Sequence, residues 1–293
     1  MKKISISSWA IPQPLDELCE GAKKIGYDGI SLGGFPPFGA HPDIVDTPEK
    51  KAALVKIFKD NGLEVADYAL DMWKYDSLKQ TAEWRAEYSR ALKCAAELGL
   101  TKIMRVDTCT PPILPEGMTY DEVKAFFVKH FTEMADEAAE YGFDVVWEFE
   151  PGFMINEPKN VKWILDHVTA PNFSLLFDTC HAYNCALGHR HIEAGCKLEG
   201  SVNEFIDMVA GRIGLVHLID CDGTLNDTGT STHAPFGDGN IDFDSVIPHL
   251  LNEGGYKGDW WAIDLCEWPN AWAVTEDCFK FVDALNKKYC KDC

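Results

Sequence analysis

Residues 61–66 read NGLEVA, and the same join recurs as IGYDGI at 25–30, LGLTKI at 98–103 and YGFDVV at 141–146. Each time an amphipathic stretch stops at a glycine and an apolar run follows within three residues. Glycine after the last periodic residue is a helix stop, because it adopts the left-handed conformation without strain. The apolar run that follows reads as a buried strand. A repeated helix–glycine–strand join describes alternating α and β elements.

Working outward from these joins, eight strands are predicted at 3–9, 29–33, 64–70, 102–107, 144–150, 174–178, 214–220 and 260–265. Helical stretches lie between them. Residues 14–25 place Leu15, Leu18, Ala22 and Ile25 at helical spacing, and 47–61 open with Thr-Pro, a cap followed by proline at the first helical position. Residues 81–98 and 120–141 complete the clearest helices. The expected fold is α/β, a (β/α)8 TIM barrel filling 1–293 as a single domain. An open doubly wound sheet is the alternative, but SSWAIPQP, after the first strand, lacks its glycine-rich phosphate loop. The longest irregular stretch is 221–240.

The chain has 46% hydrophobic and 25% charged residues, ordinary for a globular protein. Its net charge of −20 and pI near 4.7 disfavour a nucleic-acid partner, which needs a basic surface. No apolar run of about 18 residues is present, so no membrane span is expected. Eleven cysteines without an N-terminal signal pattern point to reduced thiols and a cytoplasmic location. The C-x-x-C of Cys290 and Cys293 has no second pair to complete a zinc site.

In a barrel the chemistry sits at the carboxyl ends of the strands. There the fifth strand carries Glu148 and Glu150, two apart and so on one face. The sixth ends at Asp178, with His181 beyond. The seventh carries His217 and then Asp220, and the eighth Asp264 and then Glu267. Charges at the ends of apolar strands are costly unless paired or metal-bound. Each has an ordinary reading: Glu148 paired with Lys102 or Arg105, Glu150 in a turn, Asp178 capping a helix, His217 a core histidine, Asp264 paired with a lysine. Their convergence favours a divalent cation. The oxygen and nitrogen donors suit manganese, magnesium, cobalt, zinc or iron, and the lack of cysteine argues against structural zinc.

These strand ends resemble the xylose isomerase-like superfamily, the sugar phosphate isomerase/epimerase group. The similarity lies in F-E-P-G at Glu150, D-T-C-H with Asp178 and His181, V-H-L-I-D with His217, G-D-G-N-I-D from Gly237 to Asp242, and W-A-I-D at Asp264. The resemblance implies a metal site of Glu150, Asp178, His217 and Asp264, with Glu267 as the alternative eighth-strand ligand. It implies one divalent ion, Mn2+ ahead of Mg2+, Co2+, Zn2+ or Fe2+. The implied activity is isomerisation or epimerisation of a keto-sugar through a metal-stabilised enediolate. Glu150 and Asp264 would then be the facing acid/base pair, with His181 as a further catalytic group. His181, His233, Glu148, Trp9 and Trp268 are the implied substrate-binding residues; Phe35, Phe38, Trp73, Phe153 and Trp272 also follow strand ends.

Two alternatives stay open. Within the same frame, a lyase or dehydratase would expel a β-substituent from a 3-keto-glycoside or an inosose. In another class, T-H-A-P-F-G around His233 resembles zinc-dependent apurinic endonucleases, but Ser231 stands where they have aspartate and His41 lies well past its strand. Gly223 occupies the place of an arginine usual in ketose epimerases. No phosphate-binding loop is visible, which favours an unphosphorylated sugar, and a homo-oligomer is compatible with the fold.

Overall fold

A computed structural model describes the chain except residues 71, 73, 194–196, 292 and 293, so Trp73 and Cys293 lie outside the described residues. The strands are β1 (Lys3–Ser7), β2 (Gly29–Gly33), β3 (Glu64–Leu70), β4 (Ile103–Val106), β5 (Asp144–Glu148), β6 (Phe173–Asp178), β7 (Ile213–Leu218) and β8 (Trp260–Ile263). They pair in sequence order, all parallel, and β8 returns to β1, closing the barrel. The helices are α1 (Leu15–Ile25), α2 (Pro48–Asn61), α3 (Thr81–Leu98), α4 (Tyr120–Glu140), α5 (Pro158–His167), α6 (Thr179–Leu187), α7 (Ser201–Met208), α8 (Phe243–Asn252) and α9 (Ala271–Tyr289). The architecture is the (β/α)8 barrel expected from the joins.

Those joins work as the residue types require. Gly62 ends α2 at φ 59°, ψ 40°, and its N–H returns to the Phe58 and Lys59 carbonyls. Gly99 does the same for α3 at φ 65°. Thr47 caps α2 by accepting from the Lys50 N–H.

Outward-facing strand residues pack under the helices in one large core. Inward-facing Ala66, Val146, Leu176, Leu215 and Trp260 form a separate apolar plug. One rung further along, the interior turns polar, with Ser5, Ser31, Arg105, Glu148 and His217 all buried. This change of polarity places the chemistry at the carboxyl end of the strands.

Several strands are shorter there than the apolar runs implied: β5 stops at Glu148, β7 at Leu218, and β1 gives way at Ser7 to a 3-10 turn, Ser8–Ala10. Pairing ends where each chain bends toward the mouth, although the apolar pattern continues. Between β2 and β3 the register slips: Ile30 faces Val65, but Leu32 faces Tyr68. Ser31 therefore stands opposite both Ala66 and Asp67, a β-bulge. Among the described residues no helix is long and apolar enough to cross a membrane.

Candidate metal centre

Asp178 ends β6 and caps α6, and the two roles use different oxygens. Its Oδ1 accepts the His181 N–H at 2.8 Å. Its Oδ2 lies 3.7 Å from His217 Nδ1. His217 is the register partner of Asp178 on β7. Past β8, Asp264 places Oδ2 3.6 Å from the same nitrogen. Its Oδ1 is held by the Trp9 indole N–H at 3.1 Å and the Cys266 N–H at 3.0 Å. No lysine is needed to position it.

The fifth-strand carboxylate that completes this arrangement is Glu148. Its Oε1 lies 3.1 Å from His217 Nδ1, and its Oε2 accepts from the Arg105 guanidinium. The predicted pairing with Arg105 and the place at the cluster thus coexist on one side chain. Lys102 turns to the Tyr141 carbonyl instead. Glu150, the fifth-strand ligand expected from the resemblance, stands differently: its Oε2 takes the Thr230 hydroxyl at 2.6 Å and lies 3.5 Å from His181 Nε2. Glu148 and Glu150 share a face, so the sequence could not rank them. Glu148 pairs with Leu176 and Leu176 with Leu215, and the stagger of strands in a closed barrel brings Glu148 up to His217. Glu267 is exposed and binds Asn226, away from the cluster.

Glu148, Asp178 and His217 offer donor atoms that all lie within 4.8 Å of one another. Glu148 Oε1, Asp178 Oδ2 and both His217 ring nitrogens are buried without a hydrogen bond of good geometry among the described residues. Burial would depress the His217 pKa, but Glu148, Asp264 and Asp178 outweigh it and raise it to about 9. Burial raises Asp178 to about 6, against the pull of His233. Burial also acts to raise Glu148, yet Arg105 and His217 hold it well below the usual range. Two carboxylates with unmatched oxygens beside one imidazole, and Asp264, whose oxygens share the Trp9 indole N–H, 3.6 Å from the same nitrogen, fit a divalent cation: an O,O,O,N set of hard and borderline donors.

A second triad adjoins the first through Asp178. Asp178, His181 and His233 also bring donor atoms within 4.8 Å of one another. The imidazoles stand 4.9 Å apart, and His181 Nδ1 is 2.9 Å from the Ser231 hydroxyl. Burial pushes the His181 pKa well below its ordinary value, so its ring is neutral. His41 pairs with Glu87 at 3.1 Å and is not part of the barrel mouth.

The 221–240 loop carries His233, Ser231 and Thr230 to the site. Asp220, at its base, accepts the N–H groups of Cys221, Gly237, Gly239 and Ile241 at 2.8 to 3.1 Å. A Cβ on Gly239 would fall 2.2 Å from Asp220 Oδ1, which is why the G-D-G motif needs glycine there. Sequence reasoning placed Asp220 on the rim; its role is to clasp this loop.

The mouth holds a cleft of about 390 Å³. Trp9, Phe35, Phe38 and Trp268 supply its apolar side. Glu150, His181, His233 and Asp264 supply its polar side. Phe153 is buried elsewhere, and Trp272 packs over Gly21 of α1.

Residues 19–278 match the model of the xylose isomerase-like TIM barrel, and the chain belongs to that family. A probable endonuclease 4 of Methanoculleus marisnigri is 34% identical over 93 residues, covering 31% of this chain and 32% of that protein, so the match spans about a third of that relative's length. Among solved structures, the IOLI protein with a binding zinc atom superposes with a TM-score of 0.73 at 21% identity, over 98% of this chain and 99% of that one. A D-psicose 3-epimerase with D-tagatose from Clostridium cellulolyticum H10 gives 0.72 at 15% identity, over 97% and 99%. At these identities the likeness is one of fold.

Proposed function

We propose that the chain is a divalent-metal-dependent isomerase or epimerase of keto-sugars. The observation that carries this reading is the meeting of Glu148, Asp178, Asp264 and His217 at the barrel mouth, with Glu148 Oε1, Asp178 Oδ2 and the His217 ring nitrogens left unmatched. These four residues would hold the ion, for which Mn2+ is our assignment. A bound divalent ion polarises a carbonyl and so acidifies the C–H beside it.

The protein's own groups then divide the proton work. Glu150 lines the cleft, and the Thr230 hydroxyl fixes its orientation. It is the base on one side of the substrate. Asp264, just past β8 and oriented by the Trp9 indole, faces it as the acid that returns a proton. His181, neutral and held by Ser231, and His233 bind substrate hydroxyls. Trp9 and Trp268 present aromatic faces to the apolar face of a sugar ring. Glu150, Asp264 and Glu267 line the cleft, and its one cation, Arg105, is engaged by Glu148 among the described residues. That charge balance supports an uncharged substrate and disfavours a nucleic-acid phosphate.

A lyase reading keeps one specific support. Position 223 is a glycine at φ 89° whose Cβ would meet Leu187 at 3.1 Å, so no arginine reaches an open-chain ketose from there. A keto group carried on a ring suits this cleft equally, and its proton loss can expel a β-substituent. Incubation in D2O with a panel of free ketoses and ring-keto sugars tests both readings. Deuterium entering a C–H with retained skeleton supports epimerisation; loss of a substituent supports elimination. No exchange into any member by the Mn2+-loaded protein refutes the proposal.

A further inference from the structure

Beneath the four converging residues lies a carboxylate that the proposed chemistry does not use. Asp67 is fully buried in the barrel interior, and neither of its oxygens makes a hydrogen bond of good geometry among the described residues. Such a group is costly to keep. Strict alternation along β3 would not turn both Ala66 and Asp67 inward. The bulge opposite Ser31 does, because bulges re-aim a side chain by inserting one residue. A register defect thus aims a buried acid at the barrel axis.

The groups it faces are informative. His217 is the charge it feels most strongly, then Arg105, with the Ser31 hydroxyl beside it and Glu148 as a repulsive neighbour. His217 turns Nδ1 to Glu148, Asp178 and Asp264, and its Nε2 is buried with no partner of good geometry. The Ser7 hydroxyl, on the same face of β1 as Ser5, is buried in the same condition. A metal-binding histidine needs an acceptor on its second nitrogen, which fixes the tautomer and ring orientation. An interior water needs two to four polar partners, roughly what these atoms supply.

We infer that Asp67 is a positioning residue of the metal centre: across an interior water shared with Ser7, it accepts the hydrogen bond of His217 Nε2–H and keeps the Nδ1 lone pair aimed at the ion. This rests on the metal-centre reading above. It explains why a bulge and a buried acid without a hydrogen bond of good geometry persist together. The acid costs stability in the metal-free barrel and returns it as metal affinity.

The two effects have opposite signs, and this makes the test decisive. Asp67→Asn and Asp67→Ala are compared with the unmodified protein by Co2+ titration, followed through the visible absorption of the bound ion, and by thermal unfolding without metal. The expected result is Co2+ affinity weaker by about 10- to 100-fold, a changed Co2+ spectrum, and a metal-free melting temperature equal to or above that of the parent. Unchanged Co2+ affinity in both variants overturns the inference and leaves the metal-centre reading standing. A fall in metal-free melting temperature, or failure of both variants to fold, assigns Asp67 to the scaffold and overturns it too. Absence of Co2+ binding by the unmodified protein refutes the metal-centre reading and the inference with it.

Discussion

Glu148→Gln and Glu150→Gln should separate holding the ion from moving the proton. Glu148 is 1% exposed, its Oε2 takes the Arg105 guanidinium, and its Oε1 sits 3.1 Å from His217 Nδ1. The amide keeps an acceptor but loses the charge that both cations use. Removing one partner of a buried ion pair costs about 3–5 kcal/mol. At roughly 2 °C per kcal/mol for a chain of this size, the metal-free protein should melt roughly 6–10 °C lower. Glu150 has a smaller stake: the Thr230 bond at 2.6 Å is a charge-assisted one, worth about 1.5–3 kcal/mol. Elemental analysis after dialysis, differential scanning calorimetry and deuterium exchange form the assay. Glu148→Gln is expected to lose its ion. Glu150→Gln is expected to keep the ion and lose exchange. The reverse pattern, with metal lost from Glu150→Gln and retained by Glu148→Gln, would refute the assignment of the two glutamates.

Two further outcomes follow from the same geometry. Asp220→Ala removes the acceptor for four backbone N–H groups, at about 1 kcal/mol each, and should raise hydrogen exchange across 221–240 while sparing the strands; unchanged protection there would show that the loop holds without its clasp. The pH dependence has a definite sign. Asp178 and His217 are both raised in the metal-free fold, to about 6 and about 9, so their stabilising contribution is present at low pH and lost as pH rises through those values. Metal binding must displace the same protons, so Co2+ affinity should climb as pH rises through the values at which Asp178 and His217 lose them. Buried His181 is lowered and acts with the opposite sign near pH 6, so the readout is the difference from a His217→Asn variant: a metal-free variant that loses as much stability from pH 6 to pH 9 as the parent would contradict the buried carboxylate–imidazole cluster.

The fold was legible because its determinants are local. NGLEVA carries a helix stop, a left-handed glycine and a strand within six residues, and Gly62 and Gly99 adopt that conformation. D-T-C-H holds both an acid at a strand end and the cap of the next helix, and Asp178 serves both. Asp264 lies in the apolar run and Glu267 past it, and it is Asp264 that lies beside His217.

What the sequence left open depended on elements distant along the chain. Glu148 and Glu150 look alike by periodicity; which one meets His217 depends on how β5, β6 and β7 stagger when the barrel closes. The indole of Trp9 orients Asp264 across 255 positions, and no short window contains that bond. Asp67 reads as an ordinary polar residue in E-V-A-D-Y-A-L until a bulge against β2 turns it inward. Helix stops, caps and burial alternation are written in neighbouring residues because their energetics are short-ranged. Register, loop closure and the company of a buried charge are set by the closed sheet as a whole, and so belong to the tertiary structure.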